Sequence, residues 1–337
     1  MKISLLCEPA PIAGRVNEDA CFVYSDADTV TAAVIDGATQ RIGVPSLYAP
    51  PGREPDAQKI TGARFAAQLS QHTMYQNVHC DPADMILAAN TALRKRLELA
   101  SVITAEALAQ LAPQHAPLLN EDPRMIRLML PVCVATVVKI EMANHEASFA
   151  HVGDTALFVF HKDGRVSQLA EDQMGQHDDA AIEAALALKA ELNAPHLSDV
   201  VGHERVVRIN KRNGLYHNYV DASGAPDTTL GVGVINGLPE IQAYIQTGTI
   251  DLSAVEGLLV CSDGFPLPAP WDDTLEQAEK RAHTMRDVLF TEGIEAYVSH
   301  LRTVQERDHG LDQYPRFKPH DDTAGVFVVL DHPGRSA

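Results

Sequence analysis

The chain has 337 residues, of which 45% are hydrophobic and 21% charged, enough to bury a sizeable core. Its formal net charge of -18, counted with neutral histidines, disfavours nonspecific binding to nucleic acid and to anionic membranes. The longest apolar runs, such as residues 132–138, are too short to span a bilayer, and the N-terminal apolar patch is too short for a signal peptide.

Cysteine usage indicates a reducing compartment. The five cysteines form an odd, scattered set without a Cys-x-x-Cys pair. A disulfide framework or a thiolate zinc site is therefore not expected, and we predict a cytoplasmic protein.

The first half of the chain begins with strands and continues with helices. Residues 20–35 predict two short strands, "ACFVY" and "TVTAAVI", joined by "SDAD". The Pro- and Gly-rich residues 41–59 predict a loop. Apolar residues three and four apart predict one helix over residues 61–76 and another over residues 82–112.

The second half returns to strands. "VCVATVVKIEM", "EASFAHVGD" and "ALFVFHKDGRVSQL" predict strands, followed by a helix over residues 179–193 and an irregular region over residues 199–230. A strand "GLLVC", a helix over residues 275–304 and a closing strand "AGVFVVL" complete the order. Because strands come in runs, we predict an α+β fold of mostly antiparallel sheets covered by helices. No repeat or long linker divides the chain, so residues 1–337 are expected to form a single domain.

Acidic residues recur next to tight turns or strand ends at five places. These are "NEDA" with Glu18 and Asp19, "VIDGAT" with Asp36, "AHVGDT" with Asp154, "VCSDGF" with Asp263, and "KPHDDTAGVFVVL" with Asp321 and Asp322. Each one alone is explained by a solvated turn, since Asp-Gly is a favoured turn dipeptide. As a set, they predict a shared site.

The chemistry predicted for this set is metal binding. Asp36 and Asp263 each end an apolar run that can cross a core, and gathered carboxylates repel one another unless cations neutralise them. Hard oxygen ligands without cysteine or clustered histidine favour Mg²⁺ or Mn²⁺, and the Gly37 carbonyl can add a ligand. Two such ions would share a water, lower its pKa and hold a phosphoryl oxygen.

In their order, these motifs resemble those of the metal-dependent protein phosphatases of type 2C. The resemblance runs from Gly14 to Leu330, through an Arg before "NEDA", "IDG", "AHVGDTALFVFHKDG", "LGVGVINGLPEI", "LLVCSDGF" and "HDDTAGVFVVL". It implies a four-layer α-β-β-α sandwich of two mostly antiparallel sheets flanked by helices. It also implies hydrolysis of phosphoserine and phosphothreonine in protein substrates, with a metal-bound hydroxide attacking phosphorus directly and two or three Mg²⁺ or Mn²⁺ ions.

The resemblance assigns roles position by position. Asp36 would bridge two metals, and the Gly37 carbonyl would bind the second. Asp263 and Asp321 would complete the first metal, with Asp321 favoured over Asp322. Glu18 and Asp19 would hold metal-bound waters, Asp154 would serve a third metal, and Arg15 would bind the substrate phosphate.

Two regions depart from the family pattern. "DGATQ" places Ala38 where many members have a histidine that can protonate the leaving alcohol, so another histidine, with His151 and His320 nearest the motifs, or a metal-bound water must do so. Residues 172–229 fall where the family carries a variable flap, and their His203, Tyr216, His217 and Tyr219 are candidates for shaping substrate access. Trp271, beside "SDG", is interpreted as a packing residue.

Three other interpretations stay open at this stage. "CFVYSDADTV" fits a haloacid-dehalogenase-type phosphatase with Asp26 as nucleophile and Asp28 as acid/base, although that fold needs a parallel sheet. The His-Asp pairs at residues 177–178 and 320–321 suggest an all-helical phosphohydrolase, against which the strands argue. The third is a catalytically impaired binding or regulatory protein, which "DGATQ" favours and the retained aspartates disfavour.

Overall fold

The computed structural model describes residues 1–38, 60–99, 104–111 and 113–330, and the predicted loop over residues 41–59 lies outside these. The strands are β1 (Lys2–Glu8), β2 (Ala20–Ser25), β3 (Thr29–Asp36), β4 (Val134–Glu141), β5 (Glu146–Val152), β6 (Ala156–His161), β7 (Val166–Gln168), β8 (Gln246–Asp251), β9 (Val255–Cys261) and β10 (Thr323–Val329). The α-helices are α1 (Gly62–Gln76), α2 (Pro82–Leu99), α3 (Ala105–Leu111), α4 (Ala116–Glu121), α5 (Gly175–Leu192), α6 (Glu204–Asn213), α7 (Leu275–Thr291) and α8 (Ile294–Glu306).

The strands form two five-stranded sheets. One has the order β1-β10-β9-β6-β7 and the other β2-β3-β4-β5-β8. All neighbours in both sheets pair antiparallel. The prediction of an α+β fold with mostly antiparallel sheets is confirmed.

Three apolar clusters hold four layers together. Val34 and Val138 of one sheet pack against Val260 and Val326 of the other. Outside the sheets, α1 and α2 cover β3 and β4, whereas α7 and α8 cover β9 and β10. Strands β3 and β10 therefore bury both faces, which is why "TVTAAVI" and "AGVFVVL" are apolar runs rather than alternating patterns.

Four predicted boundaries were wrong. The single helix expected over residues 82–112 ends at Leu99 in α2, and α3 is a separate helix. The helix expected over residues 275–304 breaks at Gly293, whose φ of 94° is left-handed and incompatible with helix continuation. The region 199–230 was expected to be irregular but contains α6. Strand β1 was not predicted, since at the sheet edge its seven residues bury only Leu6 fully.

Two rival folds are excluded by this architecture. Asp26 lies in the turn between the antiparallel strands β2 and β3, where its Oδ1 accepts hydrogen bonds from the backbone N–H groups of Asp28 and Thr29. Asp26 therefore caps a hairpin. A dehalogenase-type nucleophile would instead lie at the end of a parallel strand. The all-helical phosphohydrolase interpretation fails because ten strands form the core. Among the described residues, no helix is long and apolar enough to cross a membrane.

Candidate active site

Strand register brings the acidic strand ends to one end of the two sheets. Ala20 pairs with Ile35, so Asp19 and Asp36 lie side by side where β2 begins and β3 ends. In the other sheet, Gly325 pairs with Cys261, which places Asp263 beside the residues that precede β10. Asp154 follows β5 at the same end, because Val152 pairs with Ala135 next to Asp36.

These strand ends line one cavity of about 610 Å³. All eight residues assigned from the sequence lie in its wall: Arg15, Glu18, Asp19, Asp36, Gly37, Asp154, Asp263 and Asp321. The structure therefore gathers into one space residues that are separated by as many as 306 positions. Their proximity is a property of the fold.

Two glycines permit the close approach of the loops that carry the aspartates. A Cβ at Gly37 would lie 2.5 Å from the Glu18 carbonyl oxygen. A Cβ at Gly264 would overlap the Asp322 carbonyl oxygen and lie 2.9 Å from the Asp321 Cβ. Only glycine allows these backbones to pass so closely, which explains why Asp-Gly follows the strand in both motifs.

The gathered carboxylates shift one another's pKa values. Burial raises the pKa of Asp36 well above its ordinary value, and the Asp19 and Asp263 carboxylates add to that rise. Burial also raises the pKa of Asp19, although a hydrogen bond from Ser262 opposes the shift. For Asp154, burial comes first and repulsion by Asp263 second. The protein surroundings thus supply too little positive charge for this set of carboxylates.

Two cationic side chains contact the Asp321 carboxylate. Arg15 Nη2 lies 3.5 Å from its Oδ1, and Lys318 Nζ contacts its Oδ2. Burial and the Asp263 charge nevertheless raise the pKa of Asp321 to about 6. Burial acts to lower the pKa of Lys318, but Asp321 and Asp263 outweigh it and raise that pKa. The Arg302 side chain donates to the Asp321 carbonyl oxygen over 2.9 Å, which fixes the backbone here.

Asp322 has a different environment from its neighbour. Its Oδ1 accepts from the Ala10 N–H over 2.8 Å, and its Oδ2 accepts from the Glu18 N–H over 2.8 Å. Both oxygens are therefore committed to the N-terminal segment. Asp322 thus anchors the N-terminal segment, and the choice of Asp321 as the ligand of the pair stays a prediction.

The family of the chain follows from a comparison with protein-family models. The model described as Protein phosphatase 2C matches residues 12–311, most of the chain and every motif of the cavity up to the HDDT segment. The chain belongs to the protein phosphatase 2C family. No curated protein sequence is significantly similar to it.

Several solved phosphatase 2C-like structures resemble this one across nearly their whole length. RsbX in complex with magnesium is 11% identical, with 97% of this chain and 94% of that chain covered and a TM-score of 0.45. The Mycobacterium tuberculosis serine/threonine phosphatase PstP/Ppp is 14% identical, with 98% and 99% covered and a TM-score of 0.43. The catalytic domain of PstP in complex with two manganese ions is 14% identical, with 98% of both chains covered and a TM-score of 0.45. Similarity this distant carries no argument about activity.

The residues of this phosphatase 2C cavity fit a hard divalent cation. Asp19 Oδ2 is buried without a hydrogen-bond partner, and oxygen donors make up the acidic wall. Within the described part of the chain, however, no three acidic, histidine or cysteine side chains form a ready-made ion site. The Lys318 ammonium contacts Asp321 and neutralises that carboxylate. A bound cation must therefore compete with Lys318 for Asp321.

Neither histidine proposed from sequence proximity reaches this phosphatase 2C cavity. His151 is fully buried between Thr136 and the Gly153 carbonyl, and burial lowers its pKa to about 4. His320 Nδ1 lies 3.0 Å from Gln305 Oε1, and its ring is not part of the cavity wall. Sequence distance from a motif was a poor guide to position in the fold.

Sequence reasoning missed three residues that line the cavity in a chemically relevant way. They are Lys318, Asp178 in the first turn of α5, and His217, which was considered only as a residue of the access flap. For Lys318, the only available signal was its spacing of three residues before Asp321 in a loop. Nothing in the local sequence of Asp178 or His217 indicates which cavity it reaches.

Proposed function

We propose that this protein is a Mg²⁺- or Mn²⁺-dependent phosphoserine/phosphothreonine protein phosphatase with one catalytic domain, acting in the cytoplasm. The observation that carries the proposal is the convergence of all eight predicted residues on one cavity of about 610 Å³. Family membership supports phosphoester hydrolysis as the reaction class. The raised pKa values of Asp36, Asp19 and Asp154 support a site that requires added positive charge.

The proposed metal ligands are the carboxylates of the strand ends. Asp36 would bridge two ions, with the Gly37 carbonyl on one ion and Asp263 and Asp321 on the other. Glu18 and Asp19 would hold the ions through water, and Asp154 would serve a third ion. Such ions supply an activated water and neutralise phosphoryl oxygens.

Arg15 and Lys318 are the cationic side chains proposed to bind the substrate phosphate. Both line the cavity and both reach Asp321. The Arg15 guanidinium has the fork geometry that suits two phosphate oxygens, whereas Lys318 is a single point charge. Once a divalent ion neutralises Asp321, both side chains are available to a phosphate dianion that develops further charge in the transition state.

A second cavity supports a substrate larger than a simple phosphate ester. It has a volume of about 590 Å³ and shares Asp263, Lys318 and Asp321 with the first. Its wall includes Trp271, which is 47% exposed. We propose that the chain flanking the phosphorylated residue lies against this wall. Trp271→Ala should then raise KM for a phosphopeptide and leave p-nitrophenyl phosphate hydrolysis unchanged.

One observation favours a second candidate, a phosphatase-fold binding protein without catalysis. Lys318 already neutralises Asp321, and Ala38 replaces a side chain that can transfer protons. Such a protein would bind a phosphorylated partner through Arg15 and Lys318 without cleaving the ester. The acidic wall disfavours this candidate, since its gathered carboxylates would repel a phosphate in the absence of divalent ions.

The deciding experiment measures hydrolysis of p-nitrophenyl phosphate and of phosphoserine peptides after removal of metal by EDTA. Turnover should return with Mn²⁺ in the wild type and stay absent in Asp263→Asn. Asp163→Asn, a substitution in an exposed hairpin turn, is the matched control and should behave like the wild type. Folded protein that hydrolyses neither substrate at any Mn²⁺ concentration would refute the phosphatase proposal, and retained binding of the phosphopeptide would then support the binding protein.

A further inference from the structure

Cleavage of a serine or threonine phosphoester is helped by a proton donor, and position 38 does not supply one. When a serine or threonine phosphoester is cleaved, the departing alkoxide is a very poor leaving group unless it receives a proton. Ala38 provides none, and His151 and His320 lie outside the cavity wall. Among the described histidines, His217 is the one that lines it.

His217 and Ala38 line the same cavity, and their segments pack against one apolar cluster. Ala38 and Tyr216 both pack against the same apolar cluster, which includes Val134 and Val232. Ala38 directly follows Asp36-Gly37, and Tyr216 directly precedes His217. The side chain of His217 is therefore brought to the aspartate-bearing end of β3 from a segment almost 180 residues further along the chain.

Hydrogen bonds and ring stacking hold the backbone around His217 in place. Buried Arg127 donates from Nε to the His217 carbonyl over 2.9 Å and from Nη2 to the Asn218 carbonyl over 3.3 Å. The Asn218 side chain bonds both the N–H and the carbonyl of Val234, at 3.0 and 2.8 Å. The His177 ring stacks on Tyr216 with 4.5 Å between ring centroids. A catalytic side chain must be held in a fixed position to reach a reacting atom, and these contacts hold the backbone of His217 in this way.

We propose that His217 is the general acid of this phosphatase, a role that rests on the proposed function. Oxygen of the attacking water forms the new bond to phosphorus and its proton passes to the phosphate product or solvent. The bond between phosphorus and the serine oxygen breaks, and its electron pair stays on that oxygen. The oxygen takes the imidazolium proton of His217, which then regains a proton from solvent.

The test exploits the dependence of acid catalysis on the leaving group. p-Nitrophenolate leaves without a proton, whereas the serine alkoxide of a phosphopeptide does not. In His217→Gln, kcat for the phosphoserine peptide should fall by about 100-fold or more, and kcat for p-nitrophenyl phosphate by less than about 3-fold. His161→Gln, in a partly buried histidine on β6 that bonds Ser167, is the matched control and should change neither.

The alternatives give different results in the same experiment. Equal losses on both esters in His217→Gln and in a second variant, His217→Asn, would show a structural role and overturn the general-acid assignment. Unchanged peptide turnover would overturn it as well. Wild-type protein that hydrolyses neither ester would instead refute the phosphatase proposal on which the assignment rests.

Discussion

The pKa of Asp321 gives a quantitative prediction for the metal-free protein. Its pKa rises from 3.8 to about 6 on folding, so the folded state binds more protons than the unfolded state between these values. This contribution to stability is fully present below pH 3.8 and is lost as the pH rises through about 6. This difference in pKa corresponds to about 3 kcal/mol, of which about half is lost between pH 5 and pH 7.5.

Asp321→Asn removes this titration while keeping the shape of the side chain. In EDTA, the wild type should lose on the order of 1 to 2 kcal/mol more of its free energy of unfolding between pH 5 and pH 7.5 than the variant does. The measurement is urea unfolding at both pH values. Asp26→Asn is the control: hydrogen bonds from Asp28 and Thr29 lower the pKa of that exposed turn carboxylate, so it is ionised in both states over this pH range, and this variant should lose the same free energy as the wild type.

Two results would refute this reasoning. If Asp321→Asn and the wild type lose the same free energy over this pH range, Asp321 does not carry a raised pKa. If the variant is the more pH-sensitive of the two, the side chain at position 321 does not take up a proton on folding, contrary to the raised pKa described above. Repeating the wild-type series with saturating Mn²⁺ should reverse the trend, because ion binding favours the deprotonated carboxylate.

Three further predictions concern the strand ends and their loops. Asp36→Asn and Asp263→Asn should each abolish p-nitrophenyl phosphate turnover while circular dichroism shows an unchanged fold. Full turnover in both variants would refute the site assignment. Asp26→Asn should retain wild-type turnover, whereas loss would revive the dehalogenase-type mechanism that the hairpin excludes. Gly264→Ala should lower the free energy of unfolding by about 2 kcal/mol or more, because its Cβ would overlap the Asp322 carbonyl oxygen; an unchanged urea midpoint would contradict this packing.

The sequence by itself determined the character of the strands and the identity of the acidic residues. Residues 29–36 and 323–329 are apolar runs because both faces of their sheets are covered, and this pattern is visible in the letters alone. Asp-Gly after Ile35 and after Ser262 signals a strand that stops with a carboxylate and a flexible neighbour. These local features sufficed for the fold class and for the acidic residues of the cavity wall, whereas Arg15 was assigned only through the family resemblance.

The tertiary structure alone decided which distant groups meet. The break at Gly293 depends on a left-handed φ that a glycine in a helical pattern does not announce. Lys318 reaches Asp321 through a loop, and His217 reaches the cavity because Arg127 and Asn218 fix a turn within the insertion. Such contacts arise from strand register and from packing between segments far apart in the chain. Periodicity and spacing describe only near neighbours, so they cannot reveal these contacts.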